Sequence, residues 1–543
     1  MSVLTQTGQV VAVLSMLHEA AGVNSATRLF RGRPVLDWTL RRLAGAGSVD
    51  TAVVLCWDDQ EDAVEAVRAV ADRQRAAVLS RGPRQPLPAL AAVAAARRWA
   101  DGWRGGLLGT CDFDLGFHAA WTNEVAELHD AEAVLLVDPA AALIDPLLVE
   151  ALARHADAEP TAELCFMPAA PGLSATLVRR ELVKRLATAD APPGRLLTYW
   201  PDHHGVDPLG KNGCCAVPAP VARTTYRFKL DSDRQIERAT LAMVGLNGHL
   251  VSTEAEELVA HMRGAERFDR LPRDVVLELN TVRATRPTYW PGRSLAIARS
   301  DLSLAIAKQL IAELAIADDV RLTLAGVGDP LLSPIWADVV AAAVAAGLAV
   351  HVETDLVSAD AADVRRLAES GADVVSVHLP ATTGRTYVDV MGIDAAADVV
   401  DRLRQLHAAA RGTPLVVPTF TKTAVNLAEM EAWYDYWIRA VGHAVVVGPT
   451  TYGGKIPDVG LADMAPPKRR PCARLASRLT VLSDGTVVSC EQDVLAVQPM
   501  GRVGERPLTD IWRDRFASLR SCHAAGRWAD QPLCGGCGEW HRP

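Results

Sequence analysis

Half of this chain's cysteines are crowded into its last 72 residues. Of ten in all, Cys472, Cys490, Cys522, Cys534 and Cys537 lie between Cys472 and Pro543. Cys472 is followed by twelve residues, Gly485, four more residues and Cys490, and the run closes on Cys534-Gly-Gly-Cys537. A hairpin and a tight CxxC turn therefore supply four thiolates. Cysteines this few and this uneven do not make a secreted disulfide scaffold. Four thiolates hold zinc tetrahedrally or a [4Fe-4S] cluster with one sulfur per iron, and spacing alone does not choose between them. Buried cysteines that merely cluster are the bland alternative, disfavoured by a CxxC joined to two further spaced cysteines. Four thiolates with no nearby cation repel one another, so such a tail is expected to depend on its metal for folding.

The rest of the composition bounds the remainder. With 49% hydrophobic and 22% charged residues over 543 positions, the chain can bury several cores and is not disordered. The opening apolar run Val10–Leu17 is too short for a membrane helix and lacks a basic leader, so a soluble, cytoplasmic protein is expected. A formal charge of -9 gives no global attraction for nucleic acid or an anionic membrane surface. Small ligands, a nucleotide, a partner protein or a peptide are the expected partners.

Apolar runs alternate with helical patterns from Gln9 to Arg238: strands at 9–14, 52–55 and 133–137, helices at 35–44 and 61–71. Such alternation implies a mostly parallel sheet covered by helices. A polar stretch ending in Leu271-Pro-Arg273 predicts a domain boundary near residue 270. Beyond it come strand candidates at 275–279, 321–324, 349–353, 373–377, 415–418 and 444–447, most separated by a helix-length segment. One such segment, 334–346, has Pro at its first turn and Gly347 where it should stop. Six strand-helix units suffice for a partial, open barrel whose ligand site lies at the C-terminal strand ends. The basic Pro466-Pro-Lys-Arg-Arg-Pro471 predicts a second boundary near residue 468.

The tail resembles the SPASM or twitch extension of radical SAM enzymes: Cys472, Gly485 and Cys490 match its hairpin, and Cys534 and Cys537 its closing CxxC. Gly501-Arg-Val-Gly504 and Leu508-Thr-Asp-Ile-Trp512 match the intervening turn and helix. Only Cys522 is left over, so the resemblance implies one [4Fe-4S] cluster on Cys472, Cys490, Cys534 and Cys537, with Cys522 an ordinary helix residue.

The same family places three cysteines after the first barrel strand. Here Val275–Leu279 runs into Asn280–Pro291, and the aligned positions hold Arg283, Pro287 and Trp290, none of which supplies a thiolate. Leu324-Ala-Gly326-Val-Gly328-Asp329 resembles the family's turn that cradles the methionine amine, which implies S-adenosylmethionine binding by Gly326, Gly328 and Asp329. Without the cluster, half of that cofactor's ligands are missing. A glycine-rich turn is also common for tight-turn reasons alone.

Leu29–Trp38 resembles a turn and helix of sugar-activating nucleotidyltransferases, especially cytidylyltransferases. Asp138-Pro139, Asp145-Pro146 and Arg227–Asp233 resemble their later motifs. That likeness implies Mg2+ held by Asp138 and Asp231 against a triphosphate. Against it, Ser15–Arg28 carries one glycine, an acidic Glu19 and no arginine before Arg28, a poor phosphate loop. Asp138 and Asp231 are alternatively N-caps of following helices. His203-His204 reads as a surface pair.

The expected chain is α/β throughout: an N-terminal nucleotidyltransferase-like α/β sandwich and linker (1–270), a partial (β/α)6 TIM-like radical SAM barrel with a degenerate cluster site (271–468), and a small cysteine-rich SPASM/twitch-like iron-sulfur domain (469–543). The resemblances together imply an iron-sulfur pseudoenzyme, an electron-transfer or binding scaffold for a peptide- or carbohydrate-modifying pathway. Two alternatives stand beside it: a nucleotidyltransferase acting on a sugar-like acceptor, and an active radical SAM enzyme with an unusual cluster.

Overall fold

The computed structural model describes residues 9–22, 24–70, 76–202, 207–246, 249–462 and 464–542. It divides into two compact units, Met1–Phe268 and Asp269–Pro543.

The first unit is built on six strands: β1 (Val10–Ser15), β2 (Thr51–Cys56), β3 (Ala76–Ser80), β4 (Ala133–Val137), β5 (Leu164–Cys165) and β6 (Thr176–Arg179). Their order across the sheet is β3-β2-β1-β4-β6-β5. The first four are parallel, β6 runs antiparallel to β4, and β5, antiparallel to β6, returns to the direction of the first four. β1 is buried along its whole length, because its alternate residues feed two cores: Ala12 and Leu14 face one, Val11 and Val13 the other. That double burial is why the strand reads as an unbroken apolar run instead of an alternation. The ends of β1 and β4 lie side by side, with Leu14 opposite Val137, so the segments holding Glu19 and Asp138 leave the sheet as neighbours.

The second unit carries six parallel strands: β7 (Asp274–Leu277), β8 (Arg321–Leu324), β9 (Ala349–Thr354), β10 (Val374–His378), β11 (Leu415–Thr421) and β12 (Val445–Val447). The helices between them are capped by local chemistry. Ser303 accepts from the Ile306 amide, and Asp360 forms a capping box with Asp363. Gly347 has φ 80°, the left-handed stop expected after the helix Trp336–Ala345.

The sheet runs across the boundary expected near residue 468. The tail hairpin β13 (Arg478–Val481) and β14 (Thr486–Val488), followed by β15 (Pro499–Arg502), continues the barrel sheet in the order β12-β11-β10-β9-β8-β7-β13-β14-β15. β13 pairs in parallel with β7, Leu479 opposite Val275. An open barrel leaves one edge of β7 with unpaired amides and carbonyls, and the tail satisfies them. Leu479, Val481, Val487, Ile511, Trp512 and Phe516 accordingly enter the same apolar core as the barrel strands. At about 1.5–3 kcal/mol for each fully buried large side chain, this shared core contributes to holding the tail against the barrel.

Candidate functional site

In the barrel, the loop after β7 is where the three cysteines were sought. Arg283 is 6% exposed and its guanidinium pairs with Asp355 Oδ1 at 2.5 Å. It also donates to the carbonyls of Val327 and Gly328, at 3.2 and 3.3 Å. Trp290 lays its ring 4.0 Å from the Arg283 guanidinium carbon and donates its indole N–H to the Val327 carbonyl at 2.8 Å. The Trp290 amide bonds back to Pro287 at 3.0 Å, closing the turn.

Asp355, at the end of β9, is the hub. It accepts from Arg283, from the Thr285 hydroxyl and from His378 Nδ1 at 3.0 Å. Burial alone would raise its carboxyl; Arg283 and then His378 hold it below the ordinary carboxylate range. Arg283 is likewise opposed by burial but raised above its usual value by Asp355 and Asp329.

The glycine-rich turn after β8 is occupied by its neighbours. A Cβ on Gly328 would stand 2.0 Å from Asn280 Oδ1, and one on Gly326 would stand 2.5 Å from Glu278 Cγ. These glycines let the loops after β7 and β8 touch. Asp329 is 4% exposed, and its carboxylate accepts from the Thr354 hydroxyl at 2.9 Å and from the amides of Leu331 and Asp355 at 3.0 and 2.9 Å. Burial, then the charge of Asp355, raises its pKa. The three residues predicted to hold S-adenosylmethionine thus stand together, each committed to a protein contact.

Further along the same inner wall, polar residues of β9 and β10 stand together. Val350 and Val352 of β9 point into the core, so His351 and Glu353 share the opposite face, as do Ser376 and His378 of β10. His351 Nε2 lies 2.8 Å from Ser376 Oγ, and burial lowers the pKa of this histidine. The signal was present: polar residues at 351, 353 and 355 alternate within a strand of a sheet covered by helices, where continuous apolar runs are expected.

In the tail, the turn at Gly485 has φ 86° and closes the hairpin that carries Cys490, with Leu482 accepting from the Gly485 amide at 2.8 Å. Cys490 and Cys534 are both 9% exposed and pack in one cluster with Leu533 and Trp528. Burial, and after it Cys472 and Cys537, raises the Cys534 thiol to about 12, and Cys472 also raises Cys490 and Cys537. Cys472 is therefore an electrostatic neighbour of each of the other three predicted ligands. Cys522 sits on the helix Ala517–Ala524, its sulfur 3.9 Å from Arg527. The expectation of no nearby cation is corrected: Arg474 Nη1 lies 4.0 Å from the Cys490 sulfur, and Arg469 donates to the Cys534 carbonyl at 2.7 Å. Both cations partly offset thiolate repulsion. Among the described residues no three His, Cys, Asp or Glu side chains are grouped to hold a metal ion as they stand. The chemistry of the four thiols nonetheless fits a thiolate-bound group.

In the first unit, Asp138 and Asp231 are drawn to one place, since both act on buried His18 and on Lys229. Each faces a protein cation: Lys229 pairs with Asp138 and stands 3.4 Å from Asp112, while Arg227 pairs with Asp231 at 2.5 Å. Neither acid is a helix cap. Asp145 caps the helix Pro146–Ala158 and Ser232 caps Asp233–Ala242, because these residues immediately precede the first helical turn. Glu19 turns inward, accepting from the Ser25 amide at 3.1 Å and from its hydroxyl, and burial raises its carboxyl to about 7. The cavity beside Ser15, Asp112 and Asp138 is about 20 Å³, room for one water. His203-His204 lies outside the described residues.

Comparison with known proteins bears mainly on the tail. A family profile described as an iron-sulfur cluster-binding domain, SPASM, matches residues 472–538. The C-terminal segment is thus similar to that iron-sulfur cluster-binding family. An uncharacterized protein of Treponema pallidum (strain Nichols) is 28% identical over 229 residues, covering 39% of this chain and 62% of that protein. Among solved structures, BtrN in complex with AdoMet and 2-DOIA matches at a TM-score of 0.38 and 19% identity, covering 50% of this chain and 94% of BtrN. SuiB from Streptococcus suis bound to precursor peptide SuiA matches at 0.40 and 11%, covering 50% and 72%. Among the described residues no helix is long and apolar enough to cross a membrane.

Proposed function

We propose that this chain is a radical SAM/SPASM-type iron-sulfur protein that has given up radical generation, holding one [4Fe-4S] cluster in its tail and serving as a binding or electron-transfer scaffold in a peptide- or carbohydrate-modifying pathway. The observation that carries the loss is the Arg283–Asp355 pair at 2.5 Å, with Arg283 standing where the first cluster cysteine is expected. A buried cation in that position disfavours a second, cationic cofactor beside it. The SPASM match and the mutual proximity of Cys472, Cys490, Cys534 and Cys537 support the tail cluster. When bound, the cluster would supply one-electron redox chemistry. The chain's own part is to bury the sulfurs of Cys490 and Cys534 and to place Arg474 against Cys490. Hydrogen bonds and cations around the sulfurs are among the levers that set a cluster's potential.

Two measurements on anaerobically purified protein test this reading. Iron and sulfide should each approach about four per chain, and reductant with S-adenosylmethionine should yield no 5′-deoxyadenosine above background. About one zinc and no sulfide would remove the electron-transfer role. Robust 5′-deoxyadenosine would instead favour an unusual catalytic cluster.

A second reading rests on the gathering of Asp138, Asp231 and Lys229 at the ends of β1 and β4, an arrangement suited to a nucleotidyltransferase. Lys229 is paired with Asp138, so weak or absent Mg2+-dependent CTP binding is expected. Micromolar affinity, about 8 kcal/mol, lost in Asp138→Ala would establish this reading.

A further inference from the structure

Two helices of the first unit flank a cavity that neither reading of the function uses. It lies between the short helix Ala219–Arg223 and the helix Ala255–His261, and its volume of about 420 Å³ is within the range of small-molecule sites. Tyr226 and Val259 give it an apolar wall, while Arg223 and Arg263 share its lining with Thr224 and Thr225. Among the described residues no Asp or Glu lines it.

Further along the same segment the cations are answered: Arg227 pairs with Asp231, and Lys229 with Asp138 and Asp112. At the cavity they are not. Arg223 and Arg263 are exposed, and among the described residues neither guanidinium has an ion pair or a hydrogen bond. In a chain of formal charge -9, two such groups on one lining make a local excess of positive charge.

The walls are held from behind. The Tyr226 hydroxyl donates to Glu266 at 3.0 Å and accepts from the Gly264 amide at 2.7 Å, so its one proton is spent and the ring is left as a binding surface. The turn that carries Arg263 is fixed as well: Gly264 has φ 72°, and Arg267 donates to the carbonyls of Arg263 and Gly264 at 3.4 and 2.8 Å. Thr224 Oγ accepts from the Tyr226 amide at 3.3 Å, which leaves its own proton to donate.

We propose that this cavity binds a phosphate monoester of a ring compound, either a nucleoside monophosphate or a sugar phosphate. Two guanidiniums match the charge of such a phosphoryl group, and the planar fork of arginine donates to its oxygens in pairs. A carboxylate carries one charge and leaves the second arginine unanswered. The ring of the ligand lies against Tyr226 and Val259, apolar surface that inorganic phosphate cannot use. Binding here needs neither the tail cluster nor Mg2+ at Asp138.

Isothermal titration of the full-length chain in phosphate-free buffer containing chelator tests this, with CMP, glucose 1-phosphate and inorganic phosphate as probes. At least one ester should bind saturably, and inorganic phosphate at least about tenfold more weakly. The tighter ester identifies the ring. Arg223→Ala and Arg263→Ala should each weaken that ester about 10- to 100-fold, the range of a lost charge-assisted hydrogen bond, and Arg263→Lys should weaken it less than Arg263→Ala. Both arginines are exposed, so an unchanged thermal melt verifies that the variants fold. The proposal is overturned if neither ester binds below about 10 mM, if inorganic phosphate binds as tightly, or if Arg223→Ala combined with Arg263→Ala keeps full affinity.

Discussion

The loop after β7 and the cysteine tail are adjacent in the barrel sheet, yet they treat their charged groups in opposite ways. After β7 each acid has a partner: Asp355 has Arg283 and His378, and Glu278 has Arg299 at 2.6 Å. In the tail, burial pushes the thiols of Cys490, Cys534 and Cys537 upward, with Glu491 adding to Cys490 and neighbouring sulfurs to all three, and the two arginines beside them offset this only in part. A site whose charges are compensated by the protein needs no cofactor. A set of buried thiols that raise one another gains stability by giving up protons to a metal or cluster. On the proposed function, the difference separates a ligand position that has been refilled from one that is still kept for a ligand.

The largest effect should come from the tail. Replacing Cys490 by Ala should abolish most cluster iron and increase protease cleavage within residues 469–543, while Cys522→Ala should change neither. Iron analysis and limited proteolysis read both. Equal losses in the two variants would erase the contrast with the loop after β7.

Next comes the compensated pair. Asp355→Ala leaves Arg283 buried and alone, and denaturant unfolding should show a loss of about 3 to 5 kcal/mol. The double variant Arg283→Met, Asp355→Leu should lose less than the single one, since a buried pair exchanged for apolar side chains is often neutral. A double variant at least as damaged as the single would mean the network is valued for more than charge balance.

An uncompensated acid offers the converse test. Asp114, in the first unit, accepts only the amides of Cys111 and Gly194, at 2.7 and 2.9 Å, and burial raises its carboxyl to about 7. The folded state therefore holds this proton where the unfolded chain releases it. Stability from this group is complete below pH 4 and is lost as pH rises toward 7, by on the order of 3 to 4 kcal/mol. His18, lowered by burial to about 4, contributes the opposite slope between pH 4 and 6.5. Asp114→Asn should make the fall shallower, leaving the part contributed by Glu19, which burial also raises to about 7, measured by unfolding at a series of pH values. An unchanged slope would show that Asp114 is ionised throughout.

The smallest effect concerns the glycine turn. Gly328→Ala should cost about 1 to 3 kcal/mol through its clash with Asn280, with no dependence on added S-adenosylmethionine. Stabilisation of the parent chain by that cofactor, absent in the variant, would restore the turn as a binding element.

Much of the framework was legible in the residues. β4 and β8 fall where their apolar runs predict, and β11 overruns its expected end by three residues because Thr419 and Thr421 face the barrel interior instead of the core. The Gly485 turn and the CxxC were equally visible, because spacing in a hairpin is local chemistry. Less visible was what the atypical residues do. Arg283 reads as a missing cysteine, and only its partner 72 positions away turns it into half of an ion pair.

The sequence by itself determined the six parallel barrel strands, the four spaced thiols and the missing ligands after β7, since each is set by periodicity or by residue type at a fixed local spacing. Only the tertiary structure decided that the tail is an extension of the barrel sheet, that Lys229 and Arg227 face the acids of the first unit, and that Arg283 meets Asp355. Those facts depend on which strand edges pair and which side chains share a face across neighbouring strands. Hydrogen bonding between distant segments settles such questions, and no local pattern encodes it.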